Sequence, residues 1–65
     1  MTPSVTDRAR ILVVEDQEDV RRMLAAALEM EGHLVDEAAN ATEGLQCLQQ
    51  SRYDLVLSDY AMPGG

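Results

Sequence analysis

Between Ile11 and Val14 four β-favouring apolar residues follow one another without a polar break, and the run ends abruptly in two acids, Glu15 and Asp16. A strand with one face in water alternates apolar and polar residues, whereas an unbroken run of this length belongs to a strand buried on both faces, as in a parallel sheet covered by helices. This requirement constrains the chain more than any other feature, because parallel neighbours must be joined by long crossovers, usually helical. The residues that follow supply one. Val20, Leu24, Ala27 and Leu28 recur at i, i+4, i+7 and i+8, with Met23 at the edge of the stripe and Arg21, Arg22 and Glu29 away from it, predicting an amphipathic helix. Asp16 is placed to cap that helix, Glu18 and Asp19 suit the positive end of its dipole, Glu18 precedes Arg22 by four residues, and Gly32 marks the end.

The same alternation continues. His33 to Ala38 reads as a second strand, more from its position than from its low apolar content. Asn40 stands three residues before Glu43 in a capping-box arrangement, and Ala41, Leu45 and Leu48 share one face of a second helix that runs to about Gln50. Gly44 weakens this helix by up to ~1 kcal/mol relative to Ala, a cost consistent with close packing there. Leu55 to Leu57 make a third strand of the buried type, introduced by Ser51 to Asp54 and terminated by Ser58 and Asp59. The order β-α-β-α-β, with right-handed crossovers, is the start of a doubly wound parallel α/β sheet of flavodoxin-like type. Residues 1–9, MTPSVTDRA, lack an apolar period and read as a flexible lead-in, so fold information begins at Arg10.

Composition narrows the function. The net charge is −7, and the five cations are all arginine, so the clustered positive footprint that a nucleic-acid backbone requires is missing and no direct nucleic-acid contact is expected. The runs ILVV and MLAAAL are far shorter than the roughly 18 apolar residues of a membrane span, and no leader opens the chain, which predicts a cytoplasmic protein without a membrane partner. A lone Cys47 has no internal disulfide partner and reads as an idle thiol on a helix flank. Phe and Trp are absent, so the core is aliphatic.

In open α/β sheets ligands bind outside the carboxyl ends of the strands, where the strand order reverses. The first strand ends in Glu15 and Asp16 and the third in Asp59. If those strands are neighbours, about 4.8 Å apart, three carboxylates converge on one edge. Two such charges at 4 Å repel by about 4 kcal/mol at an effective dielectric of 20, so the cluster calls for a cation. Carboxylate oxygens without nearby His or Cys favour Mg²⁺.

These residues resemble the receiver domain of two-component response regulators. The resemblance runs through ILVVEDQEDVRRML, AANATEGL and YDLVLSDYAMPG and so covers nearly all of the chain after Arg10. It implies that Asp59 is the phosphoacceptor, taking a phosphoryl group from a phosphohistidine on a sensor histidine kinase or phosphotransfer protein. It further implies that Glu15, Asp16, Asp59 and the backbone carbonyl of Ala61 hold Mg²⁺, and that Met62 and Pro63 shape the following loop. Glu15 stands where the family more commonly has Asp. The first helix would lie at the kinase-docking face, with Val20 and Met23 as candidate contacts. The chain would then be a signalling module and not an enzyme.

Taken alone, Asp59 before a Pro-Gly turn reads as turn chemistry, and Glu15 and Asp16 as helix-end acids. Their combination at this spacing favours the functional reading. Met23 and Met30 are expected to border the core, His33 to be structural, Tyr53 to anchor the loop before the third strand, and Tyr60 to point outward beside the site. A full receiver resembles five β/α units, so residues 10–65 correspond to a partial domain ending in the loop after the third strand. The switch hydroxyl of the fourth strand and the lysine of the fifth have no counterparts here. The third strand would then be an open apolar edge, and self-association or a complementing segment is expected to cover it. Two other functions compete. One is a truncated interaction module that pairs with a kinase or another receiver without being phosphorylated. The other is an Mg²⁺-dependent aspartyl phosphatase, disfavoured because the position two residues after Asp59, where a second acid is wanted, is Ala61.

Overall fold

A computed structural model describes residues 8–58 and contains, in order, β1 (Arg10–Val14), α1 (Glu18–Met30), β2 (Leu34–Ala38), α2 (Ala41–Gln50) and β3 (Leu55–Ser58). The three strands form one parallel sheet in the order β2-β1-β3. This is the flavodoxin-like β-α-β-α-β arrangement expected from the alternation of apolar runs and helical stripes. The unbroken run Ile11–Val14 occupies the central strand, where both faces are covered, and Leu12 and Val13 are wholly buried. Leu12 and Val14 join Ala38 in a cluster against which Cys47 of α2 and Tyr53 pack. By strand alternation Ile11 and Val13 face the opposite side, where α1 lies over β1 and β2.

Both helices sit over β1 and β2, and neither touches β3. This explains several departures from the sequence reading. Leu55, Val56 and Ser58 are exposed and Leu57 is half-buried, so β3 is a strand of the expected type without the expected burial. The α1 stripe is rotated. Ala25 is its one buried residue, Val20, Arg21 and Leu28 are half-buried, and Leu24 and Ala27 are exposed. Met23 and Met30, expected at the core border, are 65% and 89% exposed. In α2 the residues against the sheet are Gly44 and Cys47, while Ala41, Leu45 and Leu48 overhang the uncovered face of β3. Cys47 is therefore part of the packing and not an idle flank thiol.

Local chemistry sets the helix ends. The end of α1 is a Schellman motif: Gly32 N–H donates to the Glu29 carbonyl (2.9 Å) and His33 N–H to the Leu28 carbonyl (3.3 Å), with Gly32 at φ +95°. Asn40 caps α2 as expected, and the Glu43 carboxylate returns to the residue before the cap instead of to the Asn40 N–H of a standard capping box. Glu43 N–H donates to Asn40 Oδ1 (2.9 Å), and the Glu43 carboxylate reaches back to the Ala39 N–H (2.9 Å). Gly44 lies against Val14, whose Cγ2 would stand 3.1 Å from a Cβ added at that position, so the low helix propensity of glycine is offset by close approach of α2 to β1. Asp16 does not cap α1. Gln17 holds the N-cap position and makes no side-chain cap bond, and its own backbone N–H donates to the Glu15 carboxylate (3.0 Å).

The amino end of the sheet is closed by a polar network. His33 is structural, as expected: its Nδ1 accepts the Ala9 N–H (3.0 Å), while the Ala9 carbonyl accepts Leu34 N–H (2.9 Å). Tyr53 anchors the approach to β3, its hydroxyl donating to Asp36 while Arg10 lies 5.3 Å over its ring and pairs with the same Asp36 (3.3 Å). Burial, reinforced by the Asp36 hydrogen bond and charge, pushes the Tyr53 hydroxyl up to about 12. The folded state thus favours the neutral phenol, so its stabilising contribution is complete below about pH 10, where the unfolded phenol ionises, and fades as pH rises toward 12. In a Tyr60→Phe chain, tyrosinate absorbance is expected to appear about two pH units late, with helical circular dichroism falling in the same window. Ionisation at the free-tyrosine pH in the folded chain would contradict the Tyr53–Asp36 assignment.

Candidate functional site

The strand order reverses between β1 and β3. The chain leaves β1 toward one side to form β2, then returns across β1 to form β3 on the other. Ligands in this architecture bind at that reversal, beyond the carboxyl ends of the strands. The last rung of the β1–β3 ladder pairs Val14 with Ser58, so Glu15 and Asp59 are each the next residue in their own chain segments. Asp59, Ala61, Met62, Pro63 and Tyr60 lie outside the described residues. The described half of the site is the turn Glu15–Gln17.

Glu15 is the one buried charged residue among those described, 5% exposed. Its N–H extends the β1–β2 ladder to the Ala38 carbonyl (3.0 Å), and its Oε2 accepts from Gln17 N–H (3.0 Å). The longer glutamate arm therefore folds back to brace its own turn. Asp16, next in sequence, is exposed. A third residue, read from the sequence as turned away from the core, belongs to the same turn. Arg21 donates from Nη1 to the Glu15 carbonyl (3.0 Å) and from Nε to Glu37 Oε1 on β2 (3.1 Å). No spacing signal in the sequence points to this bond, and helical periodicity concealed it by assigning Arg21 to the solvent face.

The two candidate partner contacts separate. Val20 is half-buried and lines a groove of about 330 Å³ with Val14, Glu15, Leu24, Leu57 and Ser58, while Met23 stands out in solvent. A second groove, about 230 Å³, lies on the opposite face between α2 and Val56. Glu18 and Arg22 form the expected pair at 3.4 Å, exposed on both sides and so of small energetic weight. Among the described residues no group of three His, Cys, Asp or Glu side chains could hold a metal, and no helix is long and apolar enough to cross a membrane.

A family model for the response regulator receiver domain matches residues 11–65. The chain belongs to that family. This receiver is 42% identical over 59 residues to the transcriptional regulatory protein ResD of Bacillus subtilis, a match covering 91% of this chain and 25% of ResD. It is 43% identical over 56 residues to protein PilH of Pseudomonas aeruginosa, covering 86% of this chain and 46% of PilH. Against the phosphate regulon transcriptional regulatory protein PhoB of the same organism the identity is 39% over 54 residues, covering 83% of this chain and 24% of PhoB. The receiver sequence thus spans between about a quarter and a half of the length of these relatives. No solved structure gives a significant match. Receiver domains are the response modules of two-component systems, where they interact with kinases or phosphotransfer proteins, and the β-α-β-α-β sheet seen here is the corresponding part of their fold.

Proposed function

We propose that this receiver accepts a phosphoryl group on Asp59 from a sensor histidine kinase or phosphotransfer protein in the cytoplasm, with Mg²⁺ held by Glu15, Asp16, Asp59 and the Ala61 carbonyl. The observation that carries the reading is the register: Val14 and Ser58 share the last rung of adjacent strands at the point of reversal, and the acids follow directly in sequence. Chemically, a carboxylate oxygen of Asp59 attacks the phosphorus in line and forms the new P–O bond. The P–N bond of the phosphohistidine breaks, its electron pair staying on the imidazole nitrogen, and an acyl phosphate results. Mg²⁺, when bound, neutralises charge on the transferred group. The donors suit that ion, since Glu15 and Asp16 offer hard oxygens and a third carboxylate is supplied by Asp59.

The test is incubation of the chain with acetyl phosphate and Mg²⁺, followed by intact mass. One phosphoryl adduct supports the reading. No adduct on a folded chain favours the alternative, a non-phosphorylated interaction module. That alternative draws on one observation, the exposed apolar edge of β3, where Leu55 and Val56 are 47% and 41% exposed and no charged residue interrupts the strand.

A further inference from the structure

Two adjacent arginines of α1 have different fates. Among the described residues the Arg22 side chain, 68% exposed, pairs with Glu18, whereas that of Arg21 is 16% exposed and bridges two other segments. We propose that Arg21 is a positioning residue for the acidic turn: its guanidinium holds the Glu15 carbonyl and the Glu37 carboxylate of β2 together and so fixes the direction in which Glu15 and Asp16 present their oxygens. The inference rests on the Mg²⁺ reading above.

The mechanism follows from peptide planarity. The Glu15 carbonyl belongs to the rigid unit that joins Glu15 to Asp16, so a bond to that oxygen fixes the orientation of the Asp16 N–H and restricts where the Asp16 side chain leaves the backbone. The Glu15 N–H is already tied to Ala38, and the Glu15 carboxylate to Gln17. Arg21 adds the carbonyl, so the turn is held from β2, from its own backbone and from α1. Glu37 in turn orients the guanidinium, which reaches the two acceptors through separate nitrogens. A lysine, with one compact ammonium, matches this two-point geometry poorly.

Charge and positioning predict opposite outcomes. Arg21 is a cation bonded at the turn that carries Glu15 and Asp16, so if charge alone mattered, removing it would tighten binding of a divalent cation there. If it positions the turn, removing it loosens binding, and groups that orient metal ligands typically contribute about 10–100-fold to metal affinity.

The test is calorimetric titration of the chain with Mg²⁺ at fixed ionic strength, with the folded state checked by circular dichroism. Arg21→Gln is expected to bind Mg²⁺ about 10-fold more weakly or worse, and the charge-conserving Arg21→Lys to be weakened by a smaller factor. In the metal-free chain the Asp16 amide resonance is expected to shift and broaden in both variants. A folded Arg21→Gln that binds Mg²⁺ as tightly as the unaltered chain, or more tightly, overturns the proposal. Should Arg21→Gln not fold, Arg21→Lys decides: affinity and an Asp16 resonance unchanged from the parent overturn it. Failure of the parent chain to bind Mg²⁺ overturns the metal reading and this inference with it, whereas parent binding with an indifferent Arg21 overturns this inference alone.

Discussion

Replacing Asp59 with Asn is expected to abolish the phosphoryl adduct that acetyl phosphate and Mg²⁺ are expected to give on the parent chain. The substitution is nearly isosteric, so its effect is chemical. A carboxylate offers a charged oxygen nucleophile and a hard metal ligand, and the amide offers neither at useful strength. The expected loss is complete in intact mass. The metal-dependent half of the prediction is checked with the other acids: Glu15→Gln and Asp16→Asn should each lower the extent of modification at a given Mg²⁺ concentration, with partial recovery as Mg²⁺ is raised. A full adduct on Asp59→Asn would move the phosphoacceptor elsewhere in the chain. An adduct that forms equally well in a chelator would remove Mg²⁺ from the mechanism.

Leu12→Ala is expected to leave the chain largely unfolded at ambient temperature. Leu12 is wholly buried in the central strand and belongs to the cluster with Val14 and Ala38. Truncation of a leucine in such a position costs about 2–5 kcal/mol through lost transfer energy and the cavity left behind. A small domain has a stability margin of about 0.05–0.15 kcal/mol per residue, which for a chain of 65 residues is of the same order as that cost. The surface contrast is Met30→Ala, at a residue 89% exposed, which should change the urea midpoint little. Urea melts followed by circular dichroism decide both. A Leu12→Ala midpoint matching that of the parent would mean that β1 is not the core strand.

The first prediction concerns acids that follow β1 and β3 in sequence and the second the buried middle of β1, a division that suits a parallel α/β sheet. Its middle is buried between helices and carries stability, while its carboxyl end emerges into a crevice and is free to carry chemistry. Arg21 lies between the two regions, half-buried beside the sheet and bonded to the Glu15 carbonyl. The apolar grooves beside β3 show the third property of this arrangement. Sheet surface that no helix of the described residues covers remains apolar, as Leu55, Val56 and the overhanging Leu45 and Leu48 demonstrate.

By itself the sequence determined the elements and their order. A short unbroken apolar run bounded by polar residues marks a strand, the 3.6-residue periodicity marks helices, and Asn40 with Glu43 and Gly32 fix helix ends through bonds made within a few residues. Local chemistry suffices for those features because both partners are close in sequence. It also placed acids at the ends of two strands. Tertiary structure alone decided that β1 is central and β3 its neighbour, so that Val14 meets Ser58 across the reversal. It decided as well which part of each helical stripe is buried. Periodicity finds an apolar face but not the strand it rests on, and both helices chose β1 and β2, leaving Leu24 and Leu45 outside. Asp16 lost its cap role to a backbone turn braced by Glu15, and Arg21 was drawn from the solvent side to the Glu15 carbonyl, because hydrogen-bond partners on another element have no signature in sequence spacing.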